Sequence, residues 1–320
     1  MITVAGFNTA IDRFIQIDAL TPGEVHRVRE EKIYPGGKGV HVAQTIAALG
    51  ERVRLIGLVD AANRSLISRQ MSARGVLFRG VDIEGELRHC LALQEAGGSI
   101  TEVLGQGPQL SRSEQDSLLR EFRQSAEASD LVILTGSLPR GFDDALYAAL
   151  VDDINAWGKR CLVDASGQVL RHAVAAKPYL IKPNRDEISE LVGHPVINVD
   201  AAAMAVAALR ERGIAMPVVS LGDLGAVAAD DTGMWHAQLP SVHVRNAVGS
   251  GDCFLAGMAV AMQRRMPLEQ ALRLGVACGV ANAQSEETGF AERSVVESLL
   301  PAVKVQRIHH APSLQAGSPQ

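Results

Sequence analysis

Short apolar runs alternate with helix-length segments along most of this chain, and this alternation limits the possible folds more than any other feature. The runs are rich in β-branched residues and span Ile2–Phe7, Val53–Val59, Leu131–Leu134, Cys161–Val163, Tyr179–Ile181 and Val218–Leu221. The segments predicted as helices are Gly39–Leu49, Ser113–Ala128, Asp143–Trp157, Ala201–Arg212, Cys253–Arg264, Pro267–Gln284 and Glu292–Leu300. Such alternation predicts βαβ units, and runs that are apolar throughout indicate parallel strands buried on both faces. We therefore expect an α/β fold with a mostly parallel sheet.

Two regions interrupt this rhythm, because neither Ile15–Ile33 nor Leu87–Leu104 contains a helical pattern. The second reads as two strands joined at Gly97-Gly98. Together the segments 10–35 and 85–107 are predicted to form a small β-sheet that projects as a lid, or else a plain hairpin addition to the main sheet. Residues 1–302 are expected to form a single domain. Residues 303–320 contain few large apolar side chains and are predicted to be a disordered tail.

Composition excludes several classes of function. The formal net charge is −5 and no stretch is dominated by Lys or Arg, which argues against nucleic acid or an anionic membrane as partner.

The four cysteines are scattered without a CxxC pair, as expected for buried thiols in a reducing compartment. The apolar run Met1–Asn8 lacks the basic start of a secretory signal, and no apolar stretch is long enough to span a bilayer. We expect a cytoplasmic protein.

The segment Asn246–Asp252 consists of small residues that lead into an apolar helical run. The amides of Gly249, Ser250 and Gly251 at a helix start can bind phosphate oxygens, because the helix dipole adds positive potential there. In the first turn, Asp252 could accept the proton of an attacking hydroxyl. It could equally serve only as a helix cap, and this segment alone leaves both interpretations open.

A second glycine-rich segment, Gly36-Gly37-Lys38-Gly39, also leads into a helix. It is not a Walker A loop, because the GxxxxGK[ST] spacing is absent, and it does not match the dinucleotide fingerprint GxGxxG. The glycines permit close approach of a ligand and Lys38 offers a positive charge. The segment favours binding of an anion or a polyol.

Polar residues follow several predicted strands, at the sheet edge where open α/β folds bind ligands. Lys182, Asn184 and Glu187 follow one strand, and Asn184 with Glu187 could hold a magnesium-bound phosphate through water. An ordinary turn followed by a helix start explains these residues equally well. Ser220-Leu221-Gly222 and Gly136-Ser137-Leu138-Pro139 are further small-residue loops at strand ends.

Taken together and in this order, these segments resemble the ribokinase-like phosphofructokinase-B family of sugar kinases. The similarity runs from Asn8 to about Gly289 and rests on motifs at wide separation, which are Gly36-Gly37-Lys38-Gly39, Gly136-Ser137-Leu138-Pro139, Lys182-Pro183-Asn184 and Gly249-Ser250-Gly251-Asp252. The chain is most similar to the branch that phosphorylates phosphorylated ketohexoses. Its opening motif, Asn8-Thr9-Ala10-Ile11-Asp12, matches that branch with Thr9 in place of Pro.

The resemblance implies a three-layer α/β/α core, a β lid that pairs with the lid of a second subunit in a homodimer, and ATP with Mg²⁺ as cofactors. Asp252 would be the catalytic base, with the amides from Gly249 through Ser250 and Gly251 to Asp252 as an anion hole. The implied substrate-binding residues are Asp12, Gly37, Lys38, His41 and Arg88. The implied nucleotide-binding residues are Lys182, Asn184, Glu187, Ser220, Gly222 and Asn282. No residue is expected to bind the metal directly, and Mg²⁺ would come with ATP near Asn184 and Glu187.

Three positions depart from the pattern of that branch. His41 stands where the branch usually has Asn, close to the sugar, and Cys90 replaces a common Asn in the predicted lid strand. Ala92 stands where Lys is common, which removes one candidate cation for the substrate phosphate. The catalytic half of the pattern is intact, and the substrate half is altered.

The favoured reaction is ATP-dependent phosphorylation of fructose 1-phosphate to fructose 1,6-bisphosphate. Phosphorylation of tagatose 6-phosphate or fructose 6-phosphate, or of an unphosphorylated sugar, remains open. A non-catalytic sugar-sensing protein on a kinase fold is the alternative from another class. The intact Asp252 and its anion hole argue against it.

Overall fold

The computed structural model describes residues 1–239 and 244–309, which form two β-sheets and the helices packed on them. We number strands and helices in chain order. The large sheet contains β1 (Ile2–Gly6), β4 (Val53–Val59), β5 (Leu77–Asp82), β8 (Leu131–Thr135), β9 (Arg160–Asp164), β10 (Leu180–Ile181), β11 (Met216–Ser220), β12 (Ala226–Asp230), β13 (Gly233–Gln238) and β14 (Lys304–Ile308). The small sheet contains β2 (Ala10–Ile17), β3 (Glu30–Gly36), β6 (Arg88–Glu95) and β7 (Ile100–Leu104).

The large sheet has the strand order β14-β13-β12-β11-β10-β9-β8-β1-β4-β5. From β5 to β11 all neighbouring strands are parallel, whereas β12, β13 and β14 add an antiparallel edge. Strands β1 and β8 are buried along their whole length, as expected for parallel strands covered on both faces. The predicted α/β fold with a mostly parallel sheet is confirmed.

The helices cover the sheet. Those before β11 lie between parallel strands in sequence, and those after β13 precede the edge strand β14. The helices are α1 (Lys38–Ala48), α2 (Arg64–Ala73), α3 (Arg112–Glu127), α4 (Leu146–Ala156), α5 (Gly167–Ala175), α6 (Arg185–Val192), α7 (Val199–Glu211), α8 (Ser250–Gln263), α9 (Leu268–Gln284) and α10 (Arg293–Leu299). Helix α8 is buried over most of its length, which explains why its sequence is apolar on all sides. In the two described ranges, every helix is too short or too polar to cross a membrane.

The small sheet has the order β3-β2-β6-β7 and is built from the two regions that lack a helical pattern. Its strands lie within the predicted segments 10–35 and 85–107 except that β3 ends one residue later, at Gly36, and β6 pairs with β7 across the glycine turn at Gly97-Gly98. A separate small sheet is therefore confirmed, in preference to a hairpin added to the main sheet.

The predicted disordered tail is wrong for residues 304–308. These residues form β14, which pairs with β13 from Met234↔Ile308 to Gln238↔Lys304. Val303, just before the strand, is 1% exposed in the core. The alternating pattern of a half-exposed edge strand contains few large apolar residues, so its composition resembles that of a tail. Residues 310–320, the rest of that prediction, lie outside the described residues.

Candidate active site

A cleft of about 1000 Å³ runs between the carboxyl edge of the large sheet and the inner face of the small sheet. Residues from β9, β11 and the starts of α1, α6 and α8 line one side, and residues of β2, β6 and β7 line the other. All the predicted site residues except Asn282 line this cleft. Open α/β sheets bind ligands at this edge, where the loops that follow parallel strands converge.

Asp252 lies in the first turn of α8 and is 6% exposed. The helix begins after Gly249, whose φ of 81° is left-handed and whose Cβ, if present, would lie 2.5 Å from the Cα of Gly289. Within residues 1–239 and 244–309, the amides of Gly249 and Gly251 have no hydrogen-bond acceptor. The expected contribution of the Ser250 and Asp252 amides is wrong, because they donate to Ala247 O and Gly249 O, each at 3.1 Å. The free amides of Gly249 and Gly251 and the helix dipole create an anion site directly beside the Asp252 carboxylate.

His41 connects Asp252 to Asp12 across the cleft. Its Nδ1 lies 2.8 Å from Asp252 Oδ2, and its Nε2 lies 3.0 Å from Asp12 Oδ2. Burial lowers the pKa of His41, but the hydrogen bonds and charges of both carboxylates outweigh this and raise the pKa to about 10. The raised pKa favours the protonated, cationic imidazole between the two carboxyl groups.

A second charge group lies below the centre of the cleft, where Asp164 ends β9. Lys38 Nζ is 3.2 Å from Asp164 Oδ1, and Lys182 Nζ is 3.4 Å from Asp164 Oδ2. Burial raises the pKa of Asp164, but the charges of Lys182 and Lys38 outweigh it and hold that pKa below its usual range. Two cations share one carboxylate, so the group carries a net positive charge toward the cleft.

Arg88, the predicted contact for the substrate phosphate, lies at the start of β6. Its Nε donates to Asn8 O at 3.1 Å and its Nη1 donates to Gly105 O at 3.2 Å. Among the described residues Nη2 has no hydrogen-bond acceptor, and the side chain lines the cleft. Two hydrogen bonds thus fix the guanidinium while one nitrogen remains for a ligand.

Asn184 and Glu187 begin α6 with a reciprocal capping box. Asn184 Oδ1 accepts from the amides of Asp186 and Glu187, and Glu187 Oε2 accepts from the Asn184 amide. Burial raises the pKa of Glu187, with Lys38 opposing and Asp164 adding to the shift. Asn184 and Glu187 therefore begin a helix, as one of the two interpretations predicted. The helix start also places the Glu187 carboxylate at the cleft. These oxygen donors fit a Mg²⁺ ion that keeps much of its water shell.

Ser220 and Gly222 lie next to this helix start, at the end of β11. Ser220 forms a bridge with Asn184, and both Ser220 and Gly222 line the cleft. They extend the side of the cleft that Asn184 and Glu187 begin. The predicted nucleotide residues Lys182, Asn184, Glu187, Ser220 and Gly222 are thus neighbours in the structure.

Asn282 requires a correction, because its fully buried side chain does not line the cleft. Its Nδ2 donates to Val248 O at 2.8 Å and to Ser250 Oγ at 2.9 Å, and its Oδ1 accepts from the Phe290 amide. The expected adenine contact is not available to a side chain with these partners. Asn282 instead holds the loop that carries the anion site.

On the inner face of the small sheet, the positions that depart from the family pattern, Cys90 and Ala92, offer no positive charge to a phosphate. Ala92 pairs with Glu102 on β7, and both line the cleft together with Cys90. Burial raises the pKa of Glu102, and the negative charges of Asp12 and Asp252 add to that shift. The position that lacks the common Lys therefore faces a carboxylate.

Three functional residues are missed by reading the sequence, namely Asp164, Glu102 and Gly289. Asp164 could have been found, because an aspartate that ends a buried apolar strand lies at the ligand-binding edge. Glu102 depends on the pairing register of β6 with β7, and Gly289 depends on a contact with α1 that is distant in sequence. No local signal predicts either of them.

Comparison with known proteins yields a family and several related structures. A model of the family described as pfkB family carbohydrate kinase matches residues 5–294. The chain is 31% identical over 308 residues to a 1-phosphofructokinase of Bacillus subtilis (strain 168), covering 96% of this chain and 100% of the relative.

Solved structures agree with this family. Phosphofructokinase-2 from Escherichia coli, in complex with potassium, has a TM-score of 0.87 at 26% identity, covering 94% of this chain and 98% of that chain. Arabidopsis thaliana ribokinase, complexed with ribose and ATP, has a TM-score of 0.76 at 21% identity, covering 93% and 98%. These similarities confirm the predicted ribokinase-like α/β fold with a small separate sheet.

Proposed function

Because the chain belongs to the pfkB family of carbohydrate kinases, we propose that it transfers the γ-phosphoryl group of ATP to a primary hydroxyl of a phosphorylated ketohexose. Family membership makes it an ATP-dependent sugar kinase. The favoured substrate is fructose 1-phosphate, with fructose 1,6-bisphosphate as the product. The relative from Bacillus subtilis, a 1-phosphofructokinase that aligns along its whole length, supports this choice.

The observation that carries the proposal is the position of Asp252. Its carboxylate lies beside the free amides at the start of α8 and shares one cleft with Asp12 and Arg88. In phosphoryl transfer the protein chiefly positions the reactants and stabilises charge. Asp252 accepts the hydroxyl proton, and the free amides of Gly249 and Gly251 stabilise the negative charge that develops on the transferred group.

The two ends of the cleft hold the two substrates. Asp12 and Gly37 bind sugar hydroxyls, Lys38 lies near the substrate, and the Nη2 of Arg88 binds the substrate phosphate. Lys182, Ser220 and Gly222 lie along ATP. Asn184 and Glu187 hold its Mg²⁺ through water, and the ion supplies positive charge that neutralises the phosphates.

The small sheet acts as a lid in this proposal. It forms one wall of the cleft, and closing it over the sugar excludes water that would otherwise hydrolyse ATP. Two large apolar side chains on its strands that do not line the cleft are exposed, namely Ile33 and Val103. We propose that they pack against the lid of a second subunit in a homodimer.

We further propose that residues 1–308 form a single kinase domain with a cytoplasmic location. One continuous cluster of buried side chains extends from Ile2 to Val303. The four cysteines are buried as free thiols, which fits a reducing compartment.

A kinase for an unphosphorylated sugar is the second candidate, and the pair of Ala92 with Glu102 favours it. A carboxylate on the inner face of the lid repels a phosphate and accepts hydrogen bonds from hydroxyls. Against it, Arg88 and Lys38 remain in the same cleft.

A coupled assay of ADP release with Mg-ATP separates the candidates. The sugars are fructose 1-phosphate, fructose 6-phosphate, tagatose 6-phosphate, fructose and ribose, and Asp252→Asn purified in the same way controls for contaminating kinases. We expect the highest kcat/KM with fructose 1-phosphate. Turnover of fructose or ribose alone would favour the second candidate, and no turnover with any of the five would contradict the proposed function.

A further inference from the structure

We propose that His41 is a positioning residue that joins the sugar-binding carboxylate of Asp12 and the catalytic carboxylate of Asp252 into one rigid unit. The proposal rests on the proposed function, because it assigns those two roles to Asp12 and Asp252. It adds that the orientation of the base is set by the same side chain that fixes the sugar-binding group. Through this ring, binding of the sugar by Asp12 is coupled to the alignment of the reacting hydroxyl with Asp252.

The two contacts of the ring lie on opposite edges. Nδ1 meets Asp252 Oδ2 at 2.8 Å, and Nε2 meets Asp12 Oδ2 at 3.0 Å. Asp12 comes from β2 and Asp252 from α8, so the ring bridges the small sheet and the core. An asparagine at this position carries its two N–H donors on one nitrogen of a shorter side chain. It cannot donate to carboxylates on opposite sides at these distances.

One oxygen of each carboxylate is hydrogen-bonded to His41, and the other oxygen is not. Asp12 Oδ1 is buried and, among the described residues, has no hydrogen-bond partner. Asp252 Oδ1 receives no hydrogen bond from any residue in the same ranges. A buried acceptor without a donor is costly, so Asp12 Oδ1 is suited to a hydroxyl that arrives with the substrate.

The ring itself has no freedom to turn. His41 lies in the first turns of α1 and is 6% exposed. A Cβ on Gly289 would lie 2.1 Å from the imidazole, and Gln44 Nε2 donates to Gly289 O at 2.8 Å, which holds the glycine against the ring. The backbone of Gly289 thus packs against the imidazole and restricts its rotation.

Donation to both carboxylates requires a proton on each ring nitrogen, and hence an imidazolium. The charged groups around it are Asp12 on β2, Asp252 on α8 and Glu102 on β7, with Lys38 on its own helix. Tyr34 on β3 lies near Asp12, and burial with neighbouring carboxylates raises its pKa to about 12. The imidazolium neutralises one of the two negative charges on Asp12 and Asp252, which lowers the repulsion that an anionic substrate meets.

The bridge has a consequence for stability, because the pKa of His41 rises from 6.5 to about 10 on folding. A group with a raised pKa in the folded state stabilises the fold fully below its unfolded value. That stabilisation is lost as the pH rises from about 6.5 through 10. The difference in Tm between the wild type and His41→Asn should therefore narrow over this range.

Nitrogen-15 NMR of the histidine rings in the free protein tests the bridge without any substrate. At pH 8 we expect both ring nitrogens of His41 to be protonated, with a titration near pH 10. Asp12→Asn should lower that midpoint by at least one pH unit, and His172→Asn, at an exposed position on α5, should leave it unchanged. A neutral, singly protonated ring at pH 8 would overturn the proposal whatever sugar the enzyme uses.

Kinetics on the sugar with the highest turnover separates positioning from mere support of the fold. His41→Asn and His41→Gln should lower kcat by about 10- to 100-fold, the cost expected for a small misplacement of a catalytic group. We expect kcat of the wild type to fall as the pH approaches 10, and this fall should be absent in both variants. An unchanged kcat and an unchanged pH profile, in variants that still bind ATP, would contradict the proposal. Failure of every sugar in the panel would instead contradict the proposed function, while the NMR result would still decide the bridge.

Discussion

Charged side chains of the cleft form two groups of residues with opposite net charge. Asp12, His41 and Asp252 form an anionic group with one cation, and Lys38, Asp164 and Lys182 form a cationic group with one anion. Burying an unpaired charge costs several kcal/mol, so each group has to be assembled as a whole. The anionic group suits sugar hydroxyls and a proton acceptor, while the cationic group suits phosphates.

Arg88→Ala tests the phosphate end of the cleft. A charge-assisted hydrogen bond contributes about 1.5–3 kcal/mol, so KM for the sugar phosphate should rise by about 10- to 100-fold with a smaller change in kcat. Steady-state kinetics at saturating ATP measures this. Arg29→Ala is the matched control, because Arg29 belongs to the small-sheet region, is exposed and pairs with Asp18. An unchanged KM in Arg88→Ala would remove Arg88 from the substrate site.

Single residues could be predicted from the sequence where a local pattern defines their environment. Glycines before a helix and a following aspartate predict free amides beside a carboxylate at Gly249–Asp252, and the pattern alone leaves the role of Asp252 open. Asn282 could not be judged in this way, because its burial and its bonds to Val248 and Ser250 arise from packing of α9 on α8. The position of His41 was predicted near the sugar, whereas its bridge between two carboxylates needs the fold.

At the level of helices and strands, the periodic and buried segments were predicted well. Strand β4 has the predicted bounds, and α1 differs by one residue at each end. Strands β12, β13 and β14 were missed. Strand β12 is a short run of mostly small residues, whereas β13 and β14 are partly exposed and contain polar residues. Propensity alone does not distinguish such a strand from a loop.

Comparison of a chain that ends at Ala302 with one that ends at His309 tests β14. Both lack residues 310–320, so any difference belongs to Val303 and the strand. Loss of the buried Val303 and of the pairing with β13 should cost at least about 2 kcal/mol, and Tm should fall by about 4 °C or more. Thermal unfolding followed by circular dichroism measures this. Equal Tm values would mean that residues 303–309 contribute no more than a tail.

Across the whole molecule, four distant parts of the sequence meet in one cleft. The small sheet supplies Asp12, α1 supplies His41, β9 supplies Asp164, and α8 supplies Asp252 with its amides. The strand order brings the carboxyl edge of the parallel sheet beneath the small sheet, and the cleft follows from that arrangement. A kinase needs this convergence, because the hydroxyl, the phosphoryl group and the base have to align.

The most direct test of this account is the rate of phosphoryl transfer by Asp252→Asn at saturating Mg-ATP and sugar phosphate. An amide has the shape of the carboxylate and cannot accept the hydroxyl proton, so kcat should fall by at least about 10²–10⁴-fold. The Kd for ATP, measured by calorimetry, should stay close to that of the wild type. A variant with near-normal turnover would contradict the central claim that Asp252 is the catalytic base.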